Sequence, residues 1–474
     1  MKEGMVIDPK RNGKRTCGRQ GVLSVMSLTI AAMMLGALAI FTGSVAMAQD
    51  AVVTAPSAAA GAVAPVLKVD TGDTAWVLTS TALVLAMTMP GLALFYGGMV
   101  RSKNILGTIM QSIVVLCLVS VIWIVCGYSL AFGPDLGGII GSLEWVGLNG
   151  VGSEPHPTYG PTIPHQVFML FQLMFAAITP ALITGAVAER MKFSALLLFA
   201  AVWSLFIYVP VAHWVWGGGW LAKMGALDFA GGAVVHITSG VSSLVCAIVI
   251  GKRQGWGSDH MPPHNLPFTL LGTGLLWFGW FGFNAGSALG ANGVAGIAFL
   301  ATHAAAATGA LVWMGVEWWH RGKPSVLGVA SGAVAGLAAV TPASGFIGPF
   351  SAVLIGGVAG ILCYFAVYWK GKMSYYDDSL DSVGIHGVSG VLGILGTGLL
   401  ASKAINAAGA DGLFFGNIEQ LGVQALMAGA VTLFSLVGTW FILKFVDAVV
   451  GLRVSKEDEE TGLDLSQHNE RAYS

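Results

Sequence analysis

Charged residues are scarce in this chain, and their scarcity decides its broad class. Asp, Glu, Lys and Arg make up only 10% of the 474 residues, whereas 55% are hydrophobic. A typical soluble domain carries about 25% charged residues, so most of this chain cannot face water. The net charge of −1 leaves no basic surface to neutralise phosphates, which argues against a nucleic-acid partner. The composition therefore predicts a polytopic membrane protein.

Cysteine is also rare, and its spacing excludes the sites that cysteines usually build. The five cysteines are Cys17, Cys117, Cys126, Cys246 and Cys363. No two of them form a CxxC pair, and the last four lie in apolar runs, where a small hydrophobic side chain is the ordinary interpretation. The sequence therefore predicts no disulfide framework, no metal site and no cofactor.

The first 73 residues have the layout of an export signal and a short tail. Basic residues between 10 and 19 precede an apolar run over 22–45, which ends in Ala46, Met47 and Ala48. This order predicts a secretory signal peptide over residues 1–48 that is cleaved after Ala48. An uncleaved extra helix is the alternative, because the apolar run is longer than most signal cores. Residues 49–73 are rich in Ala, Val and Pro and are interpreted as an exported tail.

Uncharged runs mark the membrane spans between residues 74 and 450. A bilayer core of about 30 Å needs about 20 apolar residues per helix. The runs are 75–100, 105–133, 165–188, 193–222, 229–251, 265–316, 324–369, 382–402 and 420–443. The sixth and seventh are twice too long and are interrupted at 286–293 and 342–349, so each is expected to form a helical hairpin. The fold class is therefore all-α with eleven transmembrane helices, the last at about 419–450.

Positive charges in the connections predict the orientation. The pairs are Arg101/Lys103, Arg190/Lys192, Lys252/Arg253, Arg321/Lys323, Lys370/Lys372 and Arg453/Lys456. They occupy every second connection, and the alternate connections contain almost no Lys or Arg. The positive-inside rule places the mature N-terminus outside and the charged residues 451–474 in the cytoplasm. The export signal requires the same orientation.

Two short features predict an internal repeat. The sequence AAITPA at 176–181 in the third span recurs as AAVTPA at 338–343 in the eighth, and His236 in the fifth span has a counterpart in His386 in the tenth. Because five spans separate each pair, the second unit must be inverted relative to the first. The expected plan is an inverted repeat of five plus five helices, over about 74–251 and 265–402, with a final helix. Transporters built in this way place their pathway between the repeats, near the midplane.

Four histidines lie in the spans or at their ends: His213, His236, His303 and His386. A hydrogen bond between helices is the ordinary role of any one of them. The pair His236 and His386 differs, because a two-fold relation would bring both to the same depth. Burial disfavours a charged imidazole, and two adjacent rings resist double charging. The pair should therefore be neutral or share one proton, which suits proton transfer or a small neutral polar ligand. His213 and His303 have no such counterpart.

Polar and aromatic residues near the histidines predict a cation site. Asp228 precedes the run that carries His236, so it could cap that helix, attract a cation at the outer mouth, or do both. Ser287 accompanies a group of aromatic residues: Phe171, Phe175, Trp216, Trp280 and Phe283. Packing is the common role of such rings, but their faces also attract a compact cation, by about 2 kcal/mol or more when water is excluded. Together they predict a site for a cation that can lose a proton.

Five longer segments carry a family resemblance. They are PGLALFYGG at 90–98, ITPALITGAVAER at 178–190, ALDFAGGAVVHI at 226–237, GWFGFNAGS at 279–287 and DDSLDSVGIHG at 377–387. Residues 76–473 resemble the Amt/Mep/Rh ammonium transporters, and within them the bacterial Amt branch. The resemblance implies a homotrimer in the bacterial inner membrane, in which each protomer has eleven spans and its own narrow hydrophobic pore. Ammonium, ammonia and methylammonium are the implied substrates.

The resemblance also implies roles for individual residues. Phe175, Trp216 and Ser287 match the outer recruitment site, and Phe171, Phe175 and Phe283 match the gate of stacked rings. Asp228 matches an acidic residue with a largely structural role, Trp280 a pore-lining position, and His236 and His386 the twin histidines. In the family, ammonium loses its proton near the mouth, ammonia crosses, and the proton passes through the histidine pair, so uptake is electrogenic. A Trp at position 216 separates this chain from the Rh branch.

The C-terminal residues 451–474 support two interpretations. Their charged run at 456–460 is typical of a solvated, partly flexible end. However, GLRV at 451–454 and GLDL at 462–465 resemble the family's cytoplasmic region, which docks on neighbouring subunits and supports pore closure by a PII-type signalling protein. The N-terminal extension and the exported loop 155–164 depart from the family's commonest pattern.

Three other functions compete with transport. The first is a membrane cytochrome with His236 and His386 as haem ligands. The second is an intramembrane hydrolase with Ser287 as its nucleophile, although Ser287 should lie nearer the exported face than the histidines do. The third is an ammonium sensor that moves little substrate. Transport, rather than an enzymatic activity, is the function that the sequence favours.

Overall fold

The structure, a computed structural model, describes residues 67–373 and 375–473. The predicted signal peptide and most of the predicted tail lie outside the described residues. Within these ranges, ten helices are long and apolar enough to cross a membrane, and one further apolar helix is shorter. In chain order the eleven are α1 Thr71–Met99, α2 Ser102–Phe132, α3 His165–Val187, α4 Phe193–Lys223, α5 Gly232–Ile250, α6 Leu266–Gly286, α7 Gly293–Arg321, α8 Val326–Val340, α9 Pro349–Lys370, α10 Val383–Leu400 and α11 Ile418–Val450.

The two predicted helical hairpins are confirmed. α6 ends at Gly286, and α7 begins at Gly293 after Asn292, whose side chain accepts hydrogen bonds from the backbone N–H groups of the first turn. α9 begins at Pro349, where a proline is tolerated because a first-turn N–H has no partner within the helix. The helix before that break, α8, has only 15 residues and spans about 22 Å, less than a bilayer core of about 30 Å.

The described chain also contains two small hairpins, two short C-terminal helices and the 3-10 turns Val146–Leu148 and Leu413–Phe415. Between α2 and α3, β1 Asp135–Leu136 pairs with β2 Ile140–Gly141, and β3 Pro155–His156 pairs with β4 Gly160–Pro164, both antiparallel. After α11 come α12 Lys456–Thr461 and α13 Leu463–His468. These elements cap the helical core.

α5 and α10 cross each other through reciprocal glycine contacts. Each helix opens with a π-helical turn, at Gly232–Ile237 and Val383–Gly387, and continues for 13 α-helical residues. Gly240, four residues after His236, packs on the backbone of Gly387, and Gly390, four residues after His386, packs on His236. Because both glycines lie four residues after a histidine, α5 contacts α10 in the same way as α10 contacts α5. Small residues allow this close approach, as is common between membrane helices.

The C-terminal region is helical and only partly solvated: Lys456, Glu457 and Glu460 in the charged run are exposed, whereas other residues of the region are packed. Glu459 and Asp464 are buried, with 2% and 3% of their surface exposed. Glu459 accepts hydrogen bonds from Arg453 and from the backbone of Gln254, at 2.7 and 2.6 Å. Asp464 accepts from the backbone of Gly107 at 2.8 Å. The charge pattern did not indicate this packing, because each of the two buried carboxylates has a partner far away in the sequence. Contacts with neighbouring subunits stay a prediction.

A buried ion cluster ties together the ends of several helices. The Glu189 carboxylate, after α3, accepts from Arg101 at 3.0 and 3.1 Å, from Asn104 at 3.0 Å and from Arg253 at 2.9 Å. Arg253 also donates to both carboxylate oxygens of Asp377. Burial alone would raise the pKa of Glu189, but Arg253 and Arg101 lower it from 4.5 to about 2. The stabilisation it contributes is therefore present above about pH 4.5 and is lost as the pH falls toward 2.

We expect Glu189→Gln to lower the free energy of unfolding by about 3 kcal/mol or more, because it leaves buried arginines without their counter-charge. Arg321→Gln is the matched control, since Arg321 is half-exposed and reaches Glu317 only at 3.9 Å; a surface pair is worth about 0–1 kcal/mol. Thermal denaturation of both purified variants in detergent measures the difference. Equal denaturation midpoints in the two variants would contradict the role assigned to the cluster.

Candidate functional site

His236 and His386 are in direct contact, as the predicted repeat required. Their Nδ1 atoms lie 3.3 Å apart, and their rings are nearly parallel, with centroids 5.3 Å apart and an interplanar angle of 9°. His236 is fully buried and His386 is 4% exposed. A hydrogen bond between two ring nitrogens needs one donor and one acceptor, so this distance suits a pair in which one ring donates and the other accepts. The Nε2 atom of His236 has no hydrogen-bond partner among the described residues.

The predicted aromatic residues form a continuous row that leads to this pair. The Phe175 ring meets Trp216 edge-on at 5.8 Å and stacks on Phe283 at 4.2 Å, centroid to centroid. Phe171 meets Phe175 edge-on at 5.0 Å. Phe283 in turn lies 6.3 Å from the His236 ring. The three phenylalanines are at most 1% exposed, whereas Trp216 is partly exposed. The row therefore runs from an accessible indole to buried imidazoles.

Trp280 lies beside the histidine pair. Its ring stacks on His236 with centroids 5.5 Å apart, and its Nε1–H donates to the Thr341 hydroxyl at 2.9 Å. Thr341 belongs to the second copy of the short sequence repeat. Because the indole N–H already has a partner, Trp280 presents an apolar face to His236.

Asp228 organises two parts of the site at once. Its carboxylate accepts hydrogen bonds from the backbone N–H groups of four consecutive residues, 231–234, at 2.6–3.2 Å, and so caps α5 just before His236. Its own carbonyl accepts from Trp216 Nε1 at 2.8 Å. Burial raises the pKa of Asp228, and the four backbone bonds oppose that shift. Of the two roles that the sequence left open, capping is the one for which the structure provides contacts.

Ser287 joins the cluster through the backbone of α6. Its hydroxyl donates to the Phe283 carbonyl at 2.9 Å, one helical turn earlier, and the side chain is partly exposed. With its hydrogen committed in this way, the Ser287 oxygen keeps lone pairs that can accept from a donor at the mouth.

Comparison with known proteins finds relatives over most of this chain. The sequence profile of the Ammonium Transporter Family matches residues 75–473. The chain is 52% identical over 402 residues to the ammonium transporter of Bacillus subtilis, and the match covers 85% of this chain and 98% of that protein. It is 50% identical to ammonium transporter Amt1 of Archaeoglobus fulgidus over 403 residues, which are 85% of this chain and 99% of that protein.

This chain belongs to the Ammonium Transporter Family. A solved structure agrees: the crystal structure of Saccharomyces cerevisiae Mep2 superposes with a TM-score of 0.77 at 36% identity, covering 82% of this chain and 89% of that one. The family resemblance predicted from the sequence is thereby confirmed, as is a multi-pass membrane protein. The family consists of transporters rather than enzymes.

The family assignment and the geometry both disfavour the haem and hydrolase alternatives. Axial ligation would place an iron and a porphyrin plane between the two histidines, but their Nδ1 atoms are hydrogen-bonded directly. A hydrolytic Ser287 would need a hydrogen bond to a base, but its hydroxyl donates to a backbone carbonyl.

Sequence reasoning missed Asp378 as a counterpart of Asp228. Its carboxylate accepts from the backbone N–H groups of Ser382 and Val383, at 3.2 and 2.8 Å, and so caps α10 as Asp228 caps α5. The sequence did contain a signal for this pairing of Asp228 with Asp378, because each Asp precedes its histidine, His236 or His386, by eight residues. In this member of the Ammonium Transporter Family, both histidine helices therefore begin at a buried carboxylate.

We expect Gly240→Ala to separate the two histidines, because an added Cβ would lie 2.9 Å from the His386 carbonyl carbon and closer still to Gly387. The variant should have both a lower thermal midpoint and a lower transport rate. Gly422→Ala on α11 is the control, since nothing lies within 4 Å of the added atom and alanine favours a helix. Equal transport rates of Gly240→Ala and Gly422→Ala in proteoliposomes would contradict this expectation.

Proposed function

We propose that this protein recruits ammonium at an aromatic outer site, deprotonates it and conducts ammonia through a hydrophobic pore, while the proton passes through His236 and His386. The observation that carries this proposal is the direct contact of the two buried imidazoles at the inner end of the aromatic row. The net result is electrogenic uptake. Methylammonium is a further expected substrate.

Recruitment relies on the partly exposed end of the row. Trp216 supplies a partly exposed ring next to the buried ring of Phe175, and the Ser287 oxygen supplies an acceptor. An ammonium ion has no hydrocarbon stem and four N–H donors, so it can satisfy both kinds of partner at once. Attraction by ring faces is worth about 0.5–2 kcal/mol, which concentrates the cation without trapping it.

The stacked pair Phe175 and Phe283 opposes passage of the charged form. Their centroids lie 4.2 Å apart, so they must separate before a molecule can pass. Beyond them the described lining consists of Trp280 and the buried histidines. Moving an ion out of water into such surroundings costs several kcal/mol, whereas neutral ammonia avoids this cost. The proposed pathway therefore favours ammonia over the ammonium ion and over potassium.

The histidine pair offers the separated proton a route. When one ring donates from Nδ1 to the other, a proton arriving at one ring can be matched by release from the other. The buried Nε2 of His236 has no hydrogen-bond partner within the described ranges, so it is the position that would exchange the proton. Together these atoms form a two-ring relay.

The proposed membrane arrangement completes this function. Counting α8 with the ten longer helices gives eleven spans, in an inverted five-plus-five repeat with a final helix. The reciprocal contacts of Gly240 and Gly390 support the inversion. We place the mature N-terminus outside and the C-terminus in the cytoplasm of a bacterial inner membrane, in a homotrimer whose C-terminal region could receive a PII-type protein. The names of the matched relatives favour transport over sensing.

We expect His236→Asp to reduce ammonium-driven current by on the order of tenfold or more, because it removes a proton-transfer group from the relay. His260→Asp makes the same chemical change in the exposed α5–α6 loop and should leave the current unchanged. Currents recorded on a solid-supported membrane after an ammonium pulse, with a potassium pulse as reference, measure both variants. Full current in His236→Asp would remove the relay from the mechanism.

Trp216→Leu should raise the half-saturating ammonium concentration by up to about tenfold, because it deletes the exposed ring of the recruitment site. It should also change how strongly methylammonium competes. Trp319→Leu is the control, because Trp319 is 81% exposed on α7, outside the aromatic row. Identical competition curves for the two variants would exclude Trp216 from recruitment.

A further inference from the structure

His213 is a buried histidine that the proposed pathway does not use. It lies near the end of the long helical part of α4, three residues before Trp216, and none of its surface is exposed. Its Nδ1 atom lies 2.8 Å from the carbonyl oxygen of Ala131, and its Nε2 atom lies 2.8 Å from Oδ1 of Asp135. Both ring nitrogens therefore face oxygen atoms.

These two contacts constrain which ring nitrogens of His213 can donate. A backbone carbonyl can only accept a hydrogen bond, so Nδ1 must carry a hydrogen. An ionised carboxylate can also only accept, so Nε2 must carry one as well. A neutral imidazole has a single N–H. Both hydrogen bonds of His213 are therefore satisfied only by the imidazolium ion.

Asp135 is ionised in this arrangement. One of its oxygens also accepts from the Gly138 backbone at 2.8 Å, and the other pairs with Lys223 at 2.5 Å. Partial burial by itself would raise the pKa of Asp135, but the hydrogen bonds from Lys223, His213 and Gly138 lower it to about 2. The Lys223 ammonium and the Gly138 N–H both donate to this carboxylate and so favour its ionised form. His213 and Lys223 share the one carboxylate, and Lys223 lies on the exposed side of the cluster.

The segment after His213 is tied to the same β1–β2 hairpin. Trp214 Nε1 donates to the carbonyl of Ile139 at 2.9 Å, and the backbone N–H of Trp220 donates to Gly138 at 3.0 Å. Inside the turn, the backbone N–H groups of Gly217 and Gly219 donate to the His213 carbonyl. The turn that carries Trp216 is therefore closed by hydrogen bonds to the His213 backbone carbonyl. Trp214 on one side of the turn and Trp220 on the other hold it against the hairpin.

We propose that His213 is a positioning residue: its imidazolium, clamped between the Ala131 carbonyl and Asp135, sets the orientation in which Trp216 meets an incoming cation. This inference rests on the proposed function, because it concerns the recruitment step. Two hydrogen bonds on opposite edges of one ring prevent rotation of the ring, and the turn transmits that constraint to Trp216. Since Trp216 is anchored at its far end by the Asp228 carbonyl, a loosened turn would tilt the indole rather than release it.

Replacing His213 by glutamine tests the clamp, because a single amide group cannot donate to Ala131 and Asp135 from opposite edges. In proteoliposomes, His213→Gln should raise the half-saturating ammonium concentration about fivefold or more, while the maximal current stays within about twofold. The half-saturating concentration should change without a matching change in the maximal current, because the substitution does not touch the pore or its relay. An unchanged half-saturating concentration, or a lower maximal current at an unchanged half-saturating concentration, overturns the inference.

Asp135→Asn provides a second arm if His213→Gln does not fold. It removes the counter-charge and should raise the half-saturating concentration in the same direction. Glu144→Gln is its matched control, since it converts another carboxylate between α2 and α3 to an amide at an exposed position with no contact to His213. Equal half-saturation in Asp135→Asn and Glu144→Gln counts against the clamp. If the unmodified protein carries no ammonium current, the proposed function fails instead.

The charge of His213 can be measured without transport. The protein contains ten histidines, and a nitrogen-15 spectrum of histidine-labelled protein in liposomes at pH 7 distinguishes doubly from singly protonated rings. The difference spectrum between the unmodified protein and His213→Gln should contain the signal of a doubly protonated ring. The spectrum of Asp135→Asn should lack that signal. A difference spectrum with only a neutral ring would show that the proposed ion does not form.

Discussion

The close crossing of α5 and α10 is the constraint on which the rest of the structure depends. Gly240 and Gly390 lie four residues after His236 and His386, and each packs on the opposite helix beside the other histidine. Without side chains at these two points the helix backbones approach until the imidazoles touch. The aromatic row and the capping carboxylates are arranged around this crossing. A larger residue at Gly240 or Gly390 would collide with the opposite helix beside a histidine.

The buried carboxylates of this apolar chain are tolerated because each one has several hydrogen-bond donors around it. The side chains of Asp228 and Asp378 accept from the N-terminal turns of the histidine helices, where backbone N–H groups are otherwise unpaired. Glu189 is held by arginines from two different connections. The cost of burying a charge in a membrane protein is thereby offset by local contacts.

Much of this architecture followed from the sequence, for identifiable reasons. Hydrocarbon thickness imposes run lengths, so the helices and both hairpin breaks could be placed from composition alone. Contact between His236 and His386 could be inferred from their equivalent places in the repeat. The packing of the C-terminal region could not, because Glu459 and Asp464 accept from the backbone of Gln254 and Gly107, which lie more than 200 residues away along the chain. His213 was also passed over, since its significance comes from Asp135 on a separate loop, which no periodicity indicates.

Asn104 has a consequence for anyone who handles this protein. Its amide donates to Glu189 in the buried ion cluster, and its carbonyl oxygen accepts from the backbone of Leu463 in the C-terminal region, at 3.0 and 2.8 Å. One side chain thus connects the last residues of the chain with the ends of the membrane helices. A truncation that removes Leu463 would leave the Asn104 carbonyl oxygen without this partner, so the C-terminal region is a poor segment to shorten.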